Sequence, residues 1–200
     1  RSKFSTFEVS ELSEMKYIYF PMHKEPELAI NFQAPFWHDQ LNTIAQISIN
    51  LPYGYKLLVR EHKFNEGRRN SRYLNTLANF PGVTIIDPFD SQFKYLENAN
   101  LIVTENGSSG WEGLLMKKPV LSLDNSFFSP TGLSYRYNHG KDLGELVLEA
   151  LGGDKQPNSD SYDDRIGWLI DAEYSTTSPE GPTGYSDSIK IINSYVESFH

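Results

Sequence analysis

Short apolar runs alternate with amphipathic stretches along most of the chain. Five runs of four or five residues are bounded by Pro, Gly or polar residues, as buried strands are; they occupy residues 17–21, 56–60, 83–87, 101–104 and 119–123. Between them, helical spacing or capping signals mark residues 36–51, 71–80, 91–98 and the stretch after residue 107, with Ser91 as an N-cap candidate. The alternation predicts an α/β fold, namely a three-layer, Rossmann-like parallel sheet of about five or six strands with helices on both faces.

The pattern is weaker at both ends of the chain. Residues 1–15 are polar and mixed, which predicts a linker or a loose leading segment, and residues 16–200 are assigned to one domain. Beyond residue 135, helices are predicted over 141–151, 165–173 and 186–199, the last of them amphipathic. Polar loops are predicted over 154–164 and 175–184.

Composition narrows the function classes. A chain of 200 residues buries a sizeable core, and a net charge of −8 provides no global basic field for nucleic acid, so no nucleic-acid partner is expected. The absence of cysteine excludes disulfides, thiolate catalysis and Cys-based zinc sites, and it fits the cytoplasm. No run approaches the 18 apolar residues of a membrane span, and no signal peptide is recognisable. Because the first residue is Arg1, we expect the chain to be cut from a longer one.

The polar residues that stand out follow the predicted strands. Open parallel sheets bind ligands beyond the carboxyl ends of their strands. Here those ends lead into residues 21–35, 60–70, 87–91, 104–109 and 123–134. The candidate chemistry is therefore expected at one edge of the sheet.

A Gly/Ser turn after the fourth predicted strand is the first candidate. Ser108 and Ser109 lie where the turn becomes a helix, and a helix N-terminus attracts phosphate through its free N–H groups and its dipole. Gly107 allows close approach to the backbone; the alternative is an ordinary helix cap, since serine is common there. Glu112, one turn into the helix, fits two roles: a charge that favours the helix dipole, or an acceptor for ribose hydroxyls. The sequence matches neither a Walker A motif nor G-x-G-x-x-G.

The second candidate is the basic stretch at residues 60–72. His62 follows the second predicted strand, where a ring N–H could donate to phosphate, with Arg60 and Lys63 adding positive charge. The alternative is a surface histidine on a solvated face. In the loop after the first predicted strand, Glu25 and Glu27 could act as acid and base or position an acceptor hydroxyl, or could simply be exposed.

His23 and His38 are too scattered in the sequence to indicate a metal site, and none is predicted.

Taken together and in order, four motifs resemble bacterial capsular polysaccharide biosynthesis proteins, a part of the GT-B glycosyltransferases that includes capsule Kdo transferases and bacterial sialyltransferases. The resemblance spans about residues 17–135, and the motifs are Phe-Pro-Met-His-Lys-Glu-Pro-Glu at 20–27, Asp-Gln at 39–40, Arg-Glu-His-Lys at 60–63 and the segment 103–120. It implies that His62, Ser108 and Ser109 contact donor phosphate and that Glu112 binds ribose. Two positions depart from the pattern, because Lys63 replaces a proline and Arg60 replaces a lysine.

The resemblance implies the C-terminal, donor-binding half of a two-domain GT-B enzyme. The donor would be a CMP- or UDP-sugar, with no further cofactor and no essential metal. A glycan or glycolipid acceptor, and the catalytic base, would belong to a missing N-terminal domain, so the isolated domain is expected to be inactive. The expected location is cytoplasmic, with peripheral association with the inner-membrane capsule machinery. Two alternatives stay open: a non-catalytic assembly module of that machinery, and a nucleotide-sugar epimerase-like enzyme.

Overall fold

The computed structural model describes residues 4–24, 39–65, 67–105, 107–137, 141–153 and 162–177, with residues 130 and 171–177 described by backbone only. Its centre is a sheet of six parallel strands in the order β3-β2-β1-β4-β5-β6. The strands are β1 Tyr17–Pro21, β2 Lys56–Arg60, β3 Val83–Ile86, β4 Leu101–Thr104, β5 Val120–Ser122 and β6 Tyr135–Arg136. The predicted fold class is confirmed. The sequence did not indicate β6 because a two-residue strand has no periodicity to detect.

Seven α-helices surround this sheet in the described part of the chain. They are α1 Val9–Glu14, α2 Gln40–Ile49, α3 Ser71–Ala78, α4 Gln92–Asn98, α5 Ser108–Leu115, α6 Leu143–Gly152 and α7 Tyr162–Thr177. Two short 3₁₀ turns, Lys63–Asn65 and Ser129–Thr131, lie in the loops after β2 and β5. Ser91 occupies the N-cap position of α4, but its side chain makes no capping hydrogen bond.

Alternate residues of each strand face opposite helix layers, as the period of two in a strand requires. Ile18 and Phe20 of β1 belong to the apolar cluster that contains residues of α2, α3 and α6. Tyr17 and Tyr19 belong to the cluster on the other face, with residues of α1, α4, α5 and α7. All four side chains are fully buried, so both faces of the sheet are covered.

The N-terminal segment differs from the predicted linker. Ser5 pairs with the edge of β3, since its N–H donates to the Ile85 carbonyl at 2.8 Å and its carbonyl accepts from Asp87 N–H at 3.0 Å. Leu12 of α1 is fully buried against the α4 side of the core. The described part of residues 1–15 is therefore packed on the domain. A six-residue helix with one buried residue is too short to show periodicity in a polar sequence.

The C-terminal predictions also need correction. Helix α7 begins at Tyr162, inside the predicted loop 154–164, and ends at Thr177, inside the predicted loop 175–184. It contains the helix predicted over residues 165–173 and is longer at both ends. The Tyr162 hydroxyl donates to the Leu114 carbonyl at 2.7 Å and is buried, so tertiary contact fixes the helix start. The helix predicted over residues 186–199 lies outside the described residues.

The strand order creates a crevice beside β1. The chain moves outward from β1 to β2 and β3, then returns to the other side of β1 to form β4. Connections that leave the sheet in opposite directions separate at such a switch point, and open α/β sheets bind ligands there. The loops after β1, β2, β3 and β4 converge at this position.

Candidate functional site

A cavity of about 760 Å³ opens at the switch point. Its walls come from the loops after β1, β2 and β3 and from the turn between β4 and α5. Six of the residues predicted from the sequence line it, namely Arg60, His62, Lys63, Gly107, Ser108 and Ser109. The fold thus brings two separate motifs, 46 residues apart from His62 to Ser108, to one cavity.

The N-terminus of α5 forms one wall. Gly107 is the N-cap residue and no side chain caps the helix. The Gly107 N–H donates to Thr104 Oγ1 at 3.0 Å, which fixes the turn to the end of β4. Ser108 is exposed and Ser109 is mostly buried, and both line the cavity. The first turn of α5 therefore presents the positive end of the helix dipole and two hydroxyls to a ligand.

Close packing explains the glycine at position 107. A Cβ atom there would lie 2.9 Å from Cε1 of His23, closer than side chains pack. The backbone of His23 is held by the buried Gln40, whose Oε1 accepts from His23 N–H at 2.6 Å and whose Nε2 donates to the His23 carbonyl at 3.2 Å. Sequence reasoning considered His23 only as a metal ligand and missed its place in the cavity wall. Its position two residues after β1 was the available signal.

Glu61 organises the loop that carries His62. This carboxylate is 1% exposed, and its Oε1 accepts from His62 N–H at 2.8 Å and from Asn65 Nδ2 at 3.1 Å. Its Oε2 accepts from Arg69 Nε at 2.9 Å. Asn65 Nδ2 also donates to the His23 carbonyl at 3.1 Å. These hydrogen bonds join the loops after β1 and β2.

The His62 ring has a defined orientation. Its Nδ1 accepts from Phe64 N–H at 3.3 Å, and the ring stacks on Phe64 with centroids 5.5 Å apart. When Nδ1 accepts a hydrogen bond, the neutral ring carries its proton on Nε2, which makes Nε2 a donor. This is the protonation that a phosphate oxygen requires of its partner.

Arg60 was predicted to add positive charge for a phosphate, but its side chain also contacts backbone carbonyls of the protein. It is 8% exposed, and its Nη2 donates to the carbonyls of Pro88 at 2.7 Å and Asp90 at 3.0 Å. The guanidinium therefore ties β2 to the loop after β3 while its charge remains in the cavity wall. Direct contact of Arg60 with phosphate stays a prediction. Lys63 is exposed at the cavity, and its contact also stays a prediction.

The Asp90 side chain also fixes the loop after β3, to which Arg60 donates. Its Oδ2 forms an ion pair with Lys94 at 2.8 Å and accepts from the Tyr95 hydroxyl. Burial opposes ionisation of Asp90, but the hydrogen bonds from Lys94, Tyr95 and Ser91 N–H outweigh it and lower the pKa of the carboxyl. The part of the cavity wall that follows β3 is thus fixed by the Arg60 guanidinium and by the Asp90–Lys94 ion pair.

Glu112 lies behind the cavity wall. It is 8% exposed and is not among the described residues that line the cavity. Its Oε2 accepts from Gln92 Nε2 at 2.9 Å, and it also has a side-chain hydrogen bond with Ser108. The ribose contact predicted for Glu112 stays untested, but the two residues that it holds, Gln92 and Ser108, do face the cavity.

Burial raises the pKa of Glu112, and the Ser108 hydrogen bond and the Arg60 charge offset this only in part. A carboxyl whose pKa is higher in the folded state stabilises the fold below its unfolded pKa, and that contribution is lost as the pH rises through the folded pKa. We therefore expect the unfolding free energy of Glu112→Gln, relative to wild type, to increase as the pH rises from about 4 to about 7. Urea unfolding in pH steps measures this difference; a constant or decreasing difference contradicts it.

Some predictions lie outside what the structure describes. Glu25, the candidate acid or base, and its neighbour Glu27 fall in residues 25–38, and so does His38. Among the described residues, no group of three or more His, Asp or Glu side chains is arranged to hold a metal ion. Within the same residues, no helix has the length and apolar character that crossing a bilayer needs.

No family model matches the chain, and no curated protein is significantly similar to it in sequence. Solved structures do match it. The beta-Kdo 2,7 transferase of KpsC from Thermosulfurimonas dismutans is 20% identical with a TM-score of 0.51, over 71% of this chain and 50% of that one. A putative UDP-N-acetylglucosamine 2-epimerase from Listeria monocytogenes is 18% identical with a TM-score of 0.53, over 87% of this chain and 48% of that one.

These likenesses establish the fold. The chain shares the Rossmann-like α/β fold of the matched parts of these two structures. It spans about half the length of the solved structures it matches. The two proteins carry different activities in their names, so the common fold leaves the reaction to be argued from the site.

Proposed function

We propose that this chain is the nucleotide-sugar-binding domain of a glycosyltransferase in bacterial capsular or surface polysaccharide biosynthesis. One observation carries the proposal: the N-terminus of α5, with Ser108 and Ser109, and the His62 loop line the same cavity at the switch point of the sheet. A cavity of about 760 Å³ is in the size range of small-molecule sites. The likeness to a Kdo transferase of KpsC supports the choice of reaction.

The cavity suits a nucleotide phosphate that departs with negative charge. The α5 dipole, the two serine hydroxyls and His62 Nε2–H supply donors, and Lys63 and Arg60 supply positive charge in the wall. Fixed donors of this kind stabilise charge that develops on a leaving group. The donor substrate would be a CMP- or UDP-sugar.

The other half of the reaction lies beyond this domain. Because the chain spans about half of the structures it matches, we assign the glycan or glycolipid acceptor and the catalytic base to a further domain of the enzyme. The isolated chain then binds donor without transferring sugar. Its location in this proposal is cytoplasmic, with peripheral contact to the inner-membrane capsule machinery.

Isothermal titration of the chain with CMP, CDP and UDP tests the proposal. We expect saturable binding of at least one nucleotide, weakened about tenfold in His62→Ala and several-fold in Ser109→Ala, because each loses a hydrogen bond to a charged phosphate. Ser10→Ala, on the exposed surface of α1, is the matched control and should bind as wild type does. Folded protein that binds none of these nucleotides, or both site variants binding normally, contradicts the proposal.

An epimerase-like activity is the second candidate, favoured by the likeness to the putative UDP-N-acetylglucosamine 2-epimerase, which covers 87% of this chain. The two candidates share the phosphate site and differ in the product. Incubation with UDP-N-acetylglucosamine, followed by NMR of the sugar, separates them. Inversion at the sugar C2 carbon would support the epimerase, whereas unchanged sugar with tight binding fits the donor-binding domain.

A further inference from the structure

A second cavity, of about 550 Å³, lies between α7 and the 3₁₀ turn Ser129–Thr131. The described residues that line it are Thr131, Gly132, Asp164, Arg165 and Trp168. None of them lines the cavity at the switch point, so the described walls of the two cavities are separate. The donor-binding function proposed above uses none of these residues, although the volume is in the size range of small-molecule sites.

Helix α7 presents a tryptophan on its exposed face. The core-facing side of the helix is formed by three buried residues, Tyr162, Ile166 and Leu169. Trp168 is 56% exposed, and it follows Asp164 by four residues and Arg165 by three, so the three side chains share one face of the helix. Within the described residues, the Trp168 ring stacks on no other ring and its indole N–H makes no hydrogen bond. A single exposed apolar side chain is ordinary, but this one forms a cavity wall together with two charged groups.

The Arg165 guanidinium is held in place at this wall. Its Nη1 donates to the Thr131 carbonyl at 3.3 Å, the only hydrogen bond that Arg165 makes to the described residues. A guanidinium has five N–H donors in a planar fork, so donors remain for a ligand. The exposed Asp164 carboxylate supplies acceptor oxygens on the same wall. Gly132, whose φ is +68°, has no side chain to fill the space between them.

This combination of groups fits an uncharged sugar ring. A pyranose presents C–H groups on its face, which pack against the electron-rich face of an indole. The hydroxyls on its rim both donate and accept hydrogen bonds, and Arg165 and Asp164 supply partners for both. A hydrocarbon ligand would instead desolvate the two charged groups without replacing their hydrogen bonds. An anionic ligand would meet the like charge of Asp164.

We propose that this second cavity is a carbohydrate-binding site that holds uncharged pyranose rings of a glycan chain, with Trp168 as the platform on which a ring packs and Arg165 as the main donor to its hydroxyls. The choice of a glycan rests on the proposed function, because a glycosyltransferase of surface polysaccharide meets such chains as acceptor or product. A site outside the donor cavity that holds a distant part of the chain raises the concentration of that chain at the enzyme.

Nitrogen-15 NMR of the tryptophan indole groups tests the inference, with cellotetraose, maltotetraose and chitotetraose as the probes. The chain has three tryptophans, and the Trp168 signal is identified as the one that is missing from Trp168→Phe. In wild type this signal should shift and saturate with at least one of the three sugars, with a Kd of about 0.1–10 mM. Absence of a shift with all three sugars at about 10 mM overturns the inference.

Saturation-transfer NMR of the bound sugar compares variants whose folding is checked by circular dichroism. Trp168→Ala should weaken binding at least tenfold, and Trp168→Phe, which keeps a smaller ring, should weaken it less. Arg165→Met keeps the length of the side chain without its donors and should weaken binding about three- to tenfold. Tyr53→Ala is the matched control, because it removes a fully exposed aromatic ring that lines neither cavity; it should bind as wild type does.

Wild-type affinity in Trp168→Ala, or an equal loss in Tyr53→Ala, also overturns the inference. Titration of the same preparations with UDP separates it from the proposed function, because the two cavities have different described walls. Nucleotide binding without sugar binding overturns this inference and leaves the proposed function in place. Sugar binding at Trp168 without binding of any nucleotide supports this site and contradicts the proposed donor-binding function.

Discussion

Replacing Glu61 with alanine should lower the free energy of unfolding by about 3 kcal/mol and weaken nucleotide binding at least tenfold. The change removes a fully desolvated carboxylate from the Arg69 guanidinium, whose side chain is itself only 10% exposed. It also removes the acceptor of the His62 N–H and one of the two acceptors of the Asn65 side-chain amide. Removing one partner of a buried ion pair costs more than the pair contributes, because the remaining charge stays buried.

Urea unfolding and UDP titration of the same preparations measure the two effects. Glu61→Gln keeps the shape and an acceptor oxygen for the His62 N–H, so its losses should be smaller in both measurements. Glu14→Ala, at the exposed end of α1, should change stability by no more than about 0.5 kcal/mol. If Glu61→Ala is destabilised but binds UDP as tightly as wild type, Glu61 supports the fold without positioning His62.

Glu61 also shows where sequence reasoning stops. In the sequence it is one acid inside a basic stretch, and such a residue usually lies on a solvated face. Its burial depends on Asn65 and Arg69, which meet it only after the loop has folded. The strands could be predicted because burial on both faces of a parallel sheet leaves a continuous apolar run in the sequence. A buried carboxylate leaves no such pattern.

The same limit explains Glu112 and Gln92. The Gly/Ser turn and its predicted partner His62 were located from strand ends and turn chemistry, and the structure brings these residues to one cavity. Phosphate binding by the turn stays a prediction. Which side chain faces the ligand depends on how α4 packs beside α5, a contact between helices that no local pattern encodes. Sequence therefore located the edge of the site, and tertiary packing selected the residues that line it.

Gly110 of α5 packs closely against residues that hold the first turn of this helix in place. A Cβ atom at Gly110 would lie 2.6 Å from Cζ of Phe128 and 2.8 Å from Cγ2 of Thr104. Phe128 is fully buried, and Thr104 cannot rotate away without losing the hydrogen bond that its Oγ1 accepts from Gly107 N–H. The added methyl group must therefore displace the first turn of α5 from the sheet.

Gly110→Ala should consequently destabilise the fold by about 1–3 kcal/mol, the usual cost of overpacking, and weaken nucleotide binding about tenfold, because the turn that carries Ser108 and Ser109 moves with it. Gly152→Ala is the matched control, since a Cβ atom there meets nothing within 4 Å; it should leave binding unchanged and stability equal or higher by up to about 1 kcal/mol. Urea unfolding and UDP titration decide the outcome. Lost stability with intact UDP binding would place the phosphate site away from the N-terminus of α5, because that turn cannot stay in place once the methyl group is present.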